Sequence, residues 1–178
     1  MTPNRLIELV NLNNLVFVDV EATGRSPWSG IMTEFGAVHY TSRETFHGVL
    51  VDSEPSKENP AIPSIILGGT EYDAEKVMSE FVQWLGNLTA HRPVFVSDNP
   101  AYDFQWINYY TDKYLGLNPF GYSGRRIGDF WAGYKNDFGE AQSWKQLRKT
   151  KHDHNPVNDA MGNVEAFEEI LRRIKNEA

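Results

Sequence analysis

Cysteine is absent from the chain's 178 residues, which excludes a disulfide framework, a zinc-thiolate centre and a cysteine nucleophile. Long apolar runs are absent as well. No stretch approaches the roughly 20 apolar residues of a membrane span. The opening segment MTPNRLIELVNLNNLVFVDV has no basic region leading into an apolar core, and Glu8, Asn11, Asn13 and Asn14 interrupt it. These absences point to a soluble, cytoplasmic protein with no membrane partner, in which the sequon Asn87-Leu88-Thr89 is fortuitous. Basic residues are in deficit: 17 Lys and Arg stand against 24 Asp and Glu, a formal charge of −7. A broad basic surface for coating duplex nucleic acid is therefore excluded. Nucleic acid as such is not, because bound metal ions can supply positive charge locally.

What is present suffices for one core. With 40% hydrophobic and 13% aromatic residues, the chain reads as a single domain over residues 1–178. Residues 15–20, LVFVDV, form a β-branched apolar run ending near an acid, the pattern of a buried strand. Segments 31–40 and 45–52 alternate partially and continue as antiparallel strands. Residues 53–72 carry Pro55, Pro60, Pro63, Gly68 and Gly69 and read as a long loop at a site's rim. Asp73 is placed to cap a helix with the stripe Val77, Phe81, Trp84, Leu85 and Leu88. A fourth strand at 93–97, a helix at 100–115 and a Gly-rich loop at 116–124 follow, then a strand at 125–129 and helical stretches at 130–137 and 142–149. The last helix, 156–176, buries Val164, Phe167, Ile170, Leu171 and Ile174. The order βββαβαβαα specifies an α/β domain with a mixed sheet.

Asp19 and Glu21 close the first strand two residues apart, so both side chains leave one face and enter one volume. Like charges so close repel unless a cation lies between them or one is protonated. Ala22, Thr23 and Gly24 follow and are small enough for a ligand backbone to come near. Two further acids sit in matching contexts, Asn99-Pro100-Ala101-Tyr102-Asp103 and Asn155-Pro156-Val157-Asn158-Asp159. Asn caps a helix and Pro suits its first residue, which puts each Asp near the end of a first turn. His154 lies five residues before Asp159, ahead of the last helix. Four carboxylates and a histidine drawn from three elements suit two-metal phosphoryl chemistry. Hard divalent ions need oxygen ligands, and a neutral histidine beside them can take the proton of an attacking water.

With these motifs the sequence resembles the DEDDh family of 3′→5′ exonucleases, which have the ribonuclease-H-like fold. Asp19 and Glu21 in FVDVEATG match the first motif, Asn99 and Asp103 in SDNPAYDFQWI the second, and His154 and Asp159 in HNPVNDAMGNVEAF the third. The segments NPAYD and HNPVNDA are similar to those of small ribonuclease-T-like exoribonucleases of bacteria and phages. The resemblance implies a mixed five-stranded sheet flanked by helices and release of nucleoside 5′-monophosphates from a single-stranded 3′ end, with RNA favoured and DNA the alternative. A non-catalytic nucleic-acid-binding module on the same fold is the reading of another class, and the intact motif speaks against it. Asp19 would bridge two Mg²⁺ or Mn²⁺ ions. Glu21 and Asp159 would complete the tighter site, Asp103 would hold the second ion partly through water, and His154 would be the general base. Of the two histidines in His152-Asp153-His154, only His154 has the motif's offset to Asp159, which leaves His152 as a loop residue or phosphate contact. Relatives that dimerise suggest a homodimer.

Substrate contacts are expected from stacking and a few cationic or polar groups. Trp28, in a polar loop, and Tyr102, beside Asp103, are the aromatic candidates, and Ala22, Thr23, Gly24 and Asn99 line the same end. Phe104 and Trp106 read as core. Arg25, Lys145, Arg148, Lys149 and Lys151 are placed to meet or steer phosphate.

Overall fold

The structure, a computed structural model, describes residues 12–50, 74–88 and 91–176. The expected rim loop at 53–72, the cap Asp73 and Thr89 of the sequon lie outside the described residues. Strand β1, Leu15–Ala22, alternates strictly: Val16, Val18 and Val20 are buried on one face, Leu15 and Phe17 on the other. Around it run β2 (Met32–His39), β3 (Thr45–Val49), β4 (Val94–Ser97) and β5 (Gly124–Arg126), in the order β3-β2-β1-β4-β5. The β1–β2 and β2–β3 pairs are antiparallel, and the β1–β4 and β4–β5 pairs parallel. This is the mixed five-stranded sheet expected of a ribonuclease-H-like fold.

Helices α1 (Ala74–Leu88) and α2 (Pro100–Leu115) cover the face of Val16 and Val18 with Val77, Phe81, Leu85, Trp106, Ile107 and Tyr110. The opposite face receives α3 (Ile127–Lys135), a 3₁₀ stretch at Phe138–Leu147 and α4 (Pro156–Asn176). There Phe17 meets Trp131, Trp144, Phe167 and Ile170. The sheet is thus sandwiched, and burying each large side chain contributes about 1.5–3 kcal/mol. Among the described residues no helix is long and apolar enough to cross a membrane.

The structure corrects three local readings. The last strand stops at Arg126, because Ile127, Trp131 and Ala132 have the spacing to bury one helix face and α3 starts there instead of near 130. The helix expected at 142–149 is a 3₁₀ stretch that begins at Phe138, where the Asp137 carboxylate takes the Gly139 amide into a tight turn. Trp84 and Leu88 are only partly buried, the rest of that stripe being core.

One register feature positions the site. Asp19 pairs with Gly36 on β2, and a Cβ on Gly36 would lie 2.2–2.3 Å from the Pro156–Val157 backbone. The start of α4 therefore rests directly on the sheet, opposite Asp19, through a notch that only glycine leaves open.

Candidate active site

Alternation along β1 turns Asp19 and Glu21 to the face on which α4 lies. Docking at Gly36 brings Asp159, in the first turn of α4, over them. One carboxylate oxygen from each of Asp19, Glu21 and Asp159 lies within 4.8 Å of the others. Three hard oxygen donors at that spacing fit a divalent ion such as Mg²⁺ or Mn²⁺.

Asp103 arrives from the other layer. β4 pairs with β1 only as far as Phe17, so the Val20 amide extends past that pairing, and the Asp103 Oδ1 atom accepts it at 3.3 Å. Asp103 is buried at the N-terminal turn of α2, and burial pushes its carboxyl up to about 7, partly countered by the Ser97 hydroxyl and the Asn99 and Val20 amides. Asp19 is pushed further, to about 9, by burial first and then by the charges of Asp103, Asp159 and Glu21, with Arg148 pulling the other way. Glu21 is also raised by burial, with His154 opposing. Burial and mutual repulsion thus disfavour the ionised forms of these carboxyls, a penalty that a bound cation would offset.

The loop before α4 carries two histidines. His154 Nδ1 is 3.6 Å from Glu21 Oε1, and its ring is 77% exposed at the mouth of the site. Its backbone is left-handed, φ 62°, a conformation costly for a non-glycine residue. Asp153 holds the turn by accepting the Asn155 amide and the Asn158 side-chain amide, while its own N–H donates to Asp159 Oδ1. His152, read from sequence as a loop residue, places Nδ1 2.6 Å from Asp159 Oδ2, with its ring centroid 4.6 Å from that of His154. Both histidines therefore border the acids. The sequence signal was their alternation around Asp153.

The expected substrate contacts divide. Trp28 is 98% exposed at the tip of the loop after β1. Gly24 and Gly30 touch backbone to backbone at the base of that loop, and Thr23 Oγ1 accepts the Ile31 amide. The smallness of Gly24 is thus used within the protein, to close its own loop. Ala22 sits at a bulge opposite Met32, against the core. The Tyr102 hydroxyl donates to the Gly24 carbonyl, and Gln105 donates to the Arg25 carbonyl, so α2 clips the loop beside the acids. Asn99 heads α2 without a side-chain capping bond and is exposed, whereas Asn155 accepts the amides of Val157 and Asn158. Trp106 is core and Phe104 packs against it, as expected. Of the basic cluster, Lys145 is paired with Asp98 at 2.7 Å and Arg148 is turned inward and nearly buried. Lys149 and Lys151 are exposed.

No family model matches the chain. It is similar to the 3′-5′ DNA exonuclease Cap18 of Escherichia coli, 29% identical over 173 residues that cover 85% of this chain and 88% of that protein.

Proposed function

We propose that the chain is a metal-dependent 3′→5′ exonuclease of the DEDDh pattern, built as one domain, that hydrolyses the terminal phosphodiester of single-stranded nucleic acid. The observation that carries this reading is the three-carboxylate cluster with histidines at its edge, in a chain similar over most of its length to a 3′-5′ DNA exonuclease. Asp19, Glu21 and Asp159 would hold one divalent ion, and Asp19 with Asp103 a second. Such ions, when bound, supply Lewis-acid stabilisation of the charge that develops on the attacking and leaving oxygens. His154 takes a proton from the attacking water, whose oxygen bonds to phosphorus as the bond to the 3′-oxygen breaks. The electron pair leaves on that oxygen, which is protonated to the new 3′-hydroxyl, and a nucleoside 5′-monophosphate departs. A positioned general base contributes about 10²–10⁴-fold in such a step. Trp28 offers a face for a base, and Asn99 a free amide beside the acids.

DNA is the polymer we place first. The relative is named as a DNA exonuclease, and the backbone between Glu21 and Gly24, a candidate reader of a 2′-hydroxyl, is largely engaged within the protein. Glu21 O accepts Thr33, the Thr23 amide donates to Ile31, and Gly24 O accepts Tyr102. The test is digestion of 5′-labelled single-stranded DNA, single-stranded RNA and 3′-overhang duplex in Mg²⁺, in Mn²⁺ and in EDTA. The expected result is a ladder shortening one nucleotide at a time from the 3′ end, fastest on single-stranded DNA and abolished by EDTA. Release of labelled mononucleotide at the outset, internal cuts, or no metal-dependent hydrolysis would overturn the proposal.

A further inference from the structure

Arg148 stands apart from the other basic residues. It leaves the end of the 3₁₀ stretch and runs inward, its guanidinium 5.0 Å from the centroid of the buried Trp144 ring. Its stem passes over Gly162, where a Cβ would sit 3.3 Å from Arg148 Cδ and 3.0 Å from the Thr150 carbonyl. Nη2 donates to Asn163 Oδ1 and lies 3.7 Å from Asp98 Oδ2. The side chain is 10% exposed and Asn163 is fully buried.

The two groups it reaches are significant for where they stand in the chain. Asn163 is one helical turn beyond Asp159 on α4, so both occupy the same face of that helix. Asp98 follows β4 and directly precedes Asn99, which heads the helix carrying Asp103, and its carbonyl is fixed by Arg126 at 3.2 Å. A guanidinium keeps its donors in a rigid plane, whereas an ammonium is a rotating point charge; here Nη2 both donates to Asn163 and ion-pairs at 3.7 Å with Asp98, whose Oδ2 also takes Lys145 at 2.7 Å. The acids on α2 and α4 come from opposite layers of the sandwich and are not joined by a direct bond between their carboxylates among the described residues.

On the reading of the site given above, we infer that Arg148 is a positioning residue for the metal centre: by tying Asn163 to Asp98 it fixes the distance between the Asp159 and Asp103 carboxylates, and it does not meet the substrate's phosphate. Its charge also offsets the acids around Asp19, an effect that by itself opposes cation binding and so can be told apart from the positioning role.

The experiment compares wild type with Arg148→Lys, which keeps the charge and loses the fork, Arg148→Met, which loses both, and Asn163→Ala, which removes the acceptor on α4. Mn²⁺ binding is measured by calorimetry without nucleic acid, together with melting temperature and the kcat and KM for single-stranded DNA. Altering groups that orient metal ligands weakens metal affinity or activity about 10–100-fold. The expected result is an Mn²⁺ Kd raised at least about 10-fold in all three, a lowered kcat, and a KM for DNA close to wild type. Simple electrostatics predicts the opposite for Arg148→Met, since removing a cation should tighten Mn²⁺ binding. Unchanged or tighter Mn²⁺ binding in the folded Arg148 variants overturns the inference, whether accompanied by a lower melting temperature, as for a purely structural residue, or by a higher KM for DNA, as for a phosphate contact. Arg148→Lys and Asn163→Ala keep the test decisive if Arg148→Met does not fold. A wild-type chain that binds no Mn²⁺ overturns the metal-site reading itself, a result distinct from any difference among the variants.

Discussion

Asp19→Asn removes the ionisable group from the most crowded acid of the site while keeping its size and shape. In the metal-free protein the folded state holds the Asp19 proton up to about 9, whereas the unfolded chain releases it near 3.8. Between those values the folded state binds more protons than the unfolded one, so stability falls as pH rises. At pH 8, holding that proton costs a ceiling of about 6 kcal/mol at roughly 1.4 kcal/mol per pH unit. Asp19 is partly open to solvent, and water at its exposed edge reduces this to about half, about 3 kcal/mol. For a domain of this size, 1 kcal/mol moves the melting temperature by about 2–4 °C, so Asp19→Asn should melt about 6–12 °C above wild type at pH 8 in EDTA. At pH 5 the same arithmetic leaves about 1 kcal/mol, and the gap should nearly close. Differential scanning fluorimetry at the two pH values measures both, with urea titration as the check on reversibility. Adding Mn²⁺ at pH 8 should raise the wild type more than the variant, because only wild type keeps the full set of ligands. Hydrolysis by the variant should fall by about 10²–10³-fold. A variant no more stable than wild type at pH 8 in EDTA, or a gap that does not shrink at pH 5, would refute the argument that these acids repel one another in a buried site.

Three other substitutions probe separate links in the chain of reasoning. Gly36→Val puts a side chain where the Pro156–Val157 backbone lies, and should cost about 3 kcal/mol or more in urea denaturation as well as nearly all hydrolysis, because α4 can no longer bring Asp159 over Asp19. His154→Gly removes the proposed base and relieves a left-handed backbone: thermal melting should show a fold as stable as wild type, while single-turnover assays show a loss of about 10²–10⁴-fold. Trp28→Ala, at a fully exposed position, should leave the melting temperature within about 1 °C and raise the KM for single-stranded DNA about 5–150-fold with kcat little altered, the loss of roughly 1–3 kcal/mol of base stacking. A melting temperature that falls with Trp28→Ala would mean that the ring serves the fold instead.

The acids were legible in the sequence because their placement follows from local periodicity. Period-two alternation sends Asp19 and Glu21 to the face of Phe17, and a helix starting at Pro156 puts Asp159 in its first turn whatever the tertiary setting. The groups that assemble them were not legible, because their roles depend on register between distant segments. Nothing near Gly36 marks it as the landing point of a helix 120 residues away, since the notch exists only once β2 is paired with β1 at Asp19. Asn99 shows the converse: the Asn-Pro signal correctly placed the start of α2, but the side chain makes no cap there, while the same signal at Asn155 does. Arg148 could not be told from its basic neighbours for a physical reason as well. A run of Lys145, Arg148, Lys149 and Lys151 looks like one solvated basic face if the segment is an α-helix. The 3₁₀ stretch ends at Leu147, and Arg148 instead follows extended backbone inward over Gly162. The acidic balance of the whole chain acquires a local meaning from this: four of its 24 acidic side chains are the proposed ligands, drawn from β1, α2 and α4, and the nearly buried Arg148 offsets the charge around Asp19. Repulsion concentrated at one cleft can be relieved by cations bound there, so on the proposed reading hydrolysis at that cleft is conditional on metal.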